Sequence, residues 1–135
     1  MRRMFAALLL TVAASVGAPA HADTDADPAP LIGRVEWAHV DGRPSLRIYP
    51  TAEGREAAVR AGATPAGERA WSQVLAQAPD AAGPGMYAQF RCHWDYAELA
   101  RPGKPSWNLE PWRPVVSEAA MLDAECNPGA PERSW

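Results

Sequence analysis

Much is missing from this chain. Its 135 residues hold two cysteines, three histidines and no run of basic residues. Metal-ligand spacing is absent, because only His39 and His93 lie beyond the N-terminal segment and two thiols alone complete no centre. No serine or cysteine nucleophile has a spaced base, and no glycine-rich loop could cradle a phosphate. Neither a metal nor a cofactor is therefore expected. An acidic chain without a basic cluster argues against nucleic acid or an anionic membrane as the main partner. Long apolar runs are missing too. The only sizeable one, Met4–Val16, falls short of the roughly 20 residues that a membrane span needs.

That run has a different reading. Arg2 and Arg3 precede it, and Gly17-Ala18-Pro19 and Ala20-His21-Ala22 follow. A basic start, an apolar middle and a small-x-small end make a secretory signal peptide over residues 1–22. The general export route is preferred over a twin-arginine one, because the flanks of Arg2-Arg3 are incomplete. The expected location is extracellular, including association with the cell wall. Cleavage after Ala22 leaves 113 residues, one small domain. Of these, 11 are basic and 16 acidic, a net charge of −5. Residues 23–33 are acidic and proline-rich and read as a disordered leader. The globular domain spans 34–129, and 130–135 form a tail. In an oxidising compartment two cysteines pair, so Cys92 and Cys126 should form a disulfide. The loop it closes, 34 residues long, contributes roughly 3–4 kcal/mol by chain-entropy arithmetic.

The elements follow from turn chemistry and periodicity. Asp41-Gly42 is a two-residue hairpin turn, since both positions tolerate positive φ. That turn sets Trp37 opposite Leu46, Val35 opposite Ile48, Glu36 opposite Arg47 and His39 opposite Pro44 over a hairpin at 34–50. His39 reads as a surface residue. Thr51 should cap a short helix reaching toward Gly62, weakened by Gly54. Thr64 as N-cap with Pro65 at N1 should start another. On it, Trp71, Val74, Leu75 and Ala78 share one buried face, and Asp80–Gly85 is a loop. Met86, Phe90, His93/Trp94 and Ala97 favour a helix over a strand for Met86–Leu99. Prolines 105, 111 and 114 make both helix and central strand uncomfortable over Lys104–Val116. Ser117 should cap a last helix containing Met121, Leu122 and Cys126. The fold class is α+β: an antiparallel hairpin or small sheet packed with three or four short helices and held by one disulfide.

Three blocks carry a family resemblance: Gln89-Phe90-Arg91-Cys92-His93-Trp94, then the run Lys104–Pro114 (Lys-Pro-Ser-Trp-Asn-Leu-Glu-Pro-Trp-Arg-Pro), then Cys126-Asn127-Pro128-Gly129. In that order they resemble a family of secreted actinobacterial proteins catalogued as a domain of unknown function, family 2599. The resemblance implies export and a paired-cysteine fold, and it implies no activity. At Val115-Val116-Ser117 the family is expected to carry a glycine and an aromatic, so the start of the last helix stays open.

The candidate site residues divide by chemistry. His93, with Asp95 and Glu98 nearby in sequence, could be a general base steered by a carboxylate; the alternative is a partly buried histidine bonded to backbone. Glu110 lies between two tryptophans, three residues before Arg113. It could be a proton donor of raised pKa or half of a structural ion pair. Trp107, Asn108, Trp112 and Arg113 are the candidate binding residues, because exposed aromatics mark contact surfaces. The preferred function is a non-catalytic module binding an unknown envelope or extracellular component. The alternative is a small secreted hydrolase using His93 with Glu110 or Asp95.

Overall fold

The computed structural model describes Gly17, residues 27–60 and residues 62–133. Apart from Gly17, the signal-peptide segment lies outside these, as do residues 23–26 of the leader and the terminal Trp135. No helix among the described residues is long and apolar enough to cross a membrane.

Strands β1 (Ile32–Val40) and β2 (Arg43–Pro50) form the hairpin. Asp41 and Gly42 take φ of 51° and 78°, as the tight turn demands. The pairs Trp37↔Leu46, Val35↔Ile48, Glu36↔Arg47 and His39↔Pro44 all form. His39 is exposed. β1 starts earlier than its apolar alternation suggested. Leu31 and Ile32, in the stretch read as leader, are buried. Gln73 Oε1 accepts from both of their amides, at 2.9 and 3.0 Å.

A third strand corrects the reading of the proline-rich run. β3 (Trp107–Leu109) pairs antiparallel with β2, setting Ile48 opposite Trp107 and Leu46 opposite Leu109. The sheet order is β1-β2-β3. Pro105 and Pro111 stand just outside those three residues, so neither removes a ladder hydrogen bond. All three residues of β3 are buried. The proline-rich segment is thus a core edge of the sheet.

The helices cover one face of that sheet. α1 (Ala52–Ala58) is capped by Thr51, whose hydroxyl accepts from Gly54 N at 3.0 Å. Gly54 is there for close approach: a Cβ at that position would lie 2.0 Å from Leu31 O. α2 (Thr64–Gln77) begins one residue before expected, with Ala63 at the cap and no capping side chain. Its deeply buried stripe is Gly67, Ala70 and Val74. Trp71 and Leu75, expected on that face, are only half-buried at its flank. A 3₁₀ turn at Pro79–Ala81 interrupts the following loop.

α3 (Met86–Ala100) is the central helix, burying Met86, Gln89, Phe90, Cys92, His93 and Trp94. Phe90 and Trp94 meet Leu46, Ile48 and Trp107 in the main core. Trp94 stands edge-on to Trp107, with centroids 6.1 Å apart. α4 (Glu118–Asp123) is capped by Ser117, which accepts from Ala120 N at 3.2 Å. That fixes the helix start which the sequence left open. Leu122 departs from its expected place on the packed face and is 47% exposed. Cys126 lies beyond the helix, with φ of 66° following Glu125 at 50°. The Cys92–Cys126 disulfide forms, its Cα atoms 5.5 Å apart. Met121 and Val116 pack on it as a small second cluster.

Candidate functional site

The densest polar constellation is buried and structural. The Gln89 side chain clasps the Glu110 backbone, accepting from its N and donating to its O, both at 2.9 Å. The Glu110 carboxylate accepts from Ser45 Oγ at 2.8 Å and from Arg113 Nε at 2.6 Å. Arg113 also donates to the carbonyls of Pro128 and Ala130. One guanidinium therefore ties the 110–113 loop to the C-terminal segment. Both Glu110 oxygens are engaged. The geometry is that of a structural ion pair.

The candidate binding residues scatter. Trp107 is wholly buried against Trp94. Asn108, also buried, accepts from Ser106 Oγ at 2.8 Å and donates to Glu132 Oε1 at 3.0 Å. Glu132 in turn holds Lys104 Nζ, with Arg101 at 3.8 Å. Residues 130–133, read as a tail, are thus tied to the body, and Arg133 reaches Asp41 at 3.2 Å. Of the four candidates only Trp112 is not fully buried, and it is half-buried. Its indole lies under two guanidiniums, Arg43 at 4.3 Å and Arg113 at 4.6 Å.

His93 is placed differently from all of these. It is 4% exposed and lines a groove of about 1120 Å³ between the second half of α3, the end of α4 and residues 129–132. Its Nδ1 meets Gln89 O, one helical turn back, at 2.8 Å. A carbonyl oxygen can only accept, so Nδ1 carries the proton and Nε2 the lone pair. Among the described residues Nε2 has no hydrogen-bond partner. His93 itself lines the groove. Burial pushes the imidazole below its ordinary pKa, and the Lys104 charge adds to this. The Gln89 bond and the charges of Glu132 and Glu110 oppose the shift. The ring is neutral at pH 7.

Among the described residues no carboxylate is bonded to the His93 ring. Asp95 pairs with Arg91 at 3.4 Å, Glu110 with Arg113, and Glu98 with Arg55. Among the described residues lining the groove there is no serine, threonine or free thiol. Tyr96, Leu99 and Leu122 line the groove while 42%, 68% and 47% exposed, beside the buried Cys126. Sequence reasoning named His93 but missed these walls. The available signal was Tyr96 and Leu99, apolar residues on α3 outside its packed stripe.

Comparison with known proteins identifies a family. A model of the family described as "Protein of unknown function (DUF2599)" matches residues 32–129. The chain is 46% identical over 149 residues to "Uncharacterized protein Rv0477" of Mycobacterium tuberculosis (strain ATCC 25618 / H37Rv), covering 100% of each. To "Uncharacterized protein ML2452" of Mycobacterium leprae (strain TN) it is 40% identical over 103 residues, which is 76% of this chain and 83% of that one. No solved structure matches. The chain therefore belongs to the DUF2599 family of proteins of unknown function.

Proposed function

We propose that this domain is an exported, non-catalytic binding module whose ligand seats in the groove between α3, α4 and residues 129–132. One observation carries the reading. Among the described residues, three of the six exposed large hydrophobic side chains, Tyr96, Leu99 and Leu122, gather around a single cavity lined by a buried, half-partnered histidine. Scattered apolar side chains on a surface are ordinary, whereas apolar side chains converging on one concavity mark a binding site. Export is supported by the order of residues 1–22 and by a disulfide of the kind that persists outside the cytoplasm. The hydrolase alternative loses support, because neither Asp95 nor Glu110 faces His93 as a partner.

The test is a pair of opposed walls. Leu99→Asp with Leu122→Asp removes the two most exposed apolar contacts and leaves the core untouched. Wild-type protein should retain a defined component from envelope or culture fractions, and the double variant should bind that component at least about tenfold more weakly with unchanged melting. Equal retention by both proteins would contradict the assignment of the site.

A further inference from the structure

We infer that the groove is built for an aliphatic molecule ending in an uncharged hydrogen-bond donor, in chemical class a long-chain alcohol. The inference rests on the groove being the binding site and concerns what enters it. The floor supplies the polar requirement. His93 is more than nine-tenths buried and lines the groove, its Nδ1–H is spent on Gln89 O, and among the described residues its Nε2 lone pair has no hydrogen-bond partner. A ligand that brings an O–H can donate to that lone pair in place of a water in the groove.

Charge selects among possible donors. A carboxylate or phosphate would place its oxygens against the Nε2 lone pair, acceptor against acceptor. The groove's cations, Arg101 and Lys104, share the single carboxylate of Glu132, which leaves one positive charge among them. On the opposite wall, Asp123 and Glu125 make no ion pair among the described residues, so the lining as a whole disfavours an anion. An ammonium group is no better at the floor. The two carboxylates whose charge reaches His93 are occupied, Glu132 by Lys104 and Asn108, and Glu110 by Ser45 and Arg113. A buried cation would lack a free counter-ion there. A hydroxyl donates to Nε2 without bringing net charge. Tyr96, Leu99 and Leu122 then supply a wall for the aliphatic body, and the volume exceeds what a single small ligand needs.

The probes are 1-decanol, decanoate and decylammonium, added to the full exported chain at pH 7.5 and followed by two-dimensional NMR. The alcohol should shift the amides of Tyr96, Leu99 and Leu122 and bind at least about tenfold more tightly than either charged probe. It should also move the ¹⁵N resonance of His93 Nε2, which a purely apolar contact would leave in place. His93→Phe, which keeps a ring and removes the acceptor, should abolish the preference; the Nε2 resonance decides the matter in the wild type if that variant does not fold. Binding in the groove with an equal or stronger response to decanoate or decylammonium, or with a stationary Nε2, overturns the alcohol inference and leaves the groove reading standing. No shift at Tyr96, Leu99 or Leu122 with any probe overturns both.

Discussion

Arg113→Ala should cost about 3–5 kcal/mol of folding stability, measured as the shift of the urea midpoint multiplied by the transition slope. The reason is the knot around Glu110. Arg113 and Glu110 are both almost wholly buried and 2.6 Å apart, and Arg113 also satisfies two carbonyls of the C-terminal segment. Truncating the arginine leaves a buried carboxylate with only the Ser45 hydroxyl, plus two carbonyls without a donor. A control separates pairing from packing. Glu110→Gln with Arg113→Met removes both charges, and it should be milder than Arg113→Ala alone, because no charge is left buried and unpaired. If the single change shifts the midpoint no further than an ordinary surface substitution, the knot is not holding the C-terminal segment in place.

Opening the Cys92–Cys126 bridge should cost about 3–4 kcal/mol, the chain-entropy value for a closed loop of 34 residues. That is a large part of the roughly 5–15 kcal/mol net stability of a small domain. The loss should fall unevenly. The main core around Phe90, Trp94 and Trp107 does not contain the cysteines, whereas Met121 and Val116 pack directly on the bridge. Urea titrations with and without reductant should show the drop, and amide exchange should locate the greatest loss of protection in α4 and residues 124–127. Identical midpoints in the two conditions would remove the tether from the account. Because Cys126 lines the groove, the same treatment should disturb the wall that α4 provides.

These two devices differ in how they could be read from sequence. The disulfide and the hairpin register were legible because each rests on few choices. Only two cysteines exist to pair, and one Asp-Gly turn fixes the cross-strand partners from Val40↔Arg43 back to Arg34↔Tyr49, beyond which the register shifts. α3 was legible from the spacing of Met86, Phe90, His93 and Trp94. β3 was not, because the prolines at 105 and 111 argue against a strand without showing that they lie just outside it. Gly54 was read as a weakness, since the need for a bare backbone beside Leu31 O exists only in three dimensions. The groove was the least legible part. Its walls come from α3, α4 and residues 129–132, whose approach depends on the Arg113 and Glu132 contacts with the C-terminal segment. His93 was named from the sequence, but its hydrogen-bond partner in the fold is a backbone carbonyl, and no side-chain pattern announces that choice.

The account turns on how a single imidazole is protonated. Long-range ¹H–¹⁵N correlation of histidine-labelled protein at pH 7.5 reports it directly, with His39 as the exposed internal reference. The predicted result is a neutral His93 in the Nδ1–H form, its Nε2 unprotonated. A proton on Nε2, in either the neutral or the charged ring, would contradict the claim that the groove presents a free acceptor to its ligand.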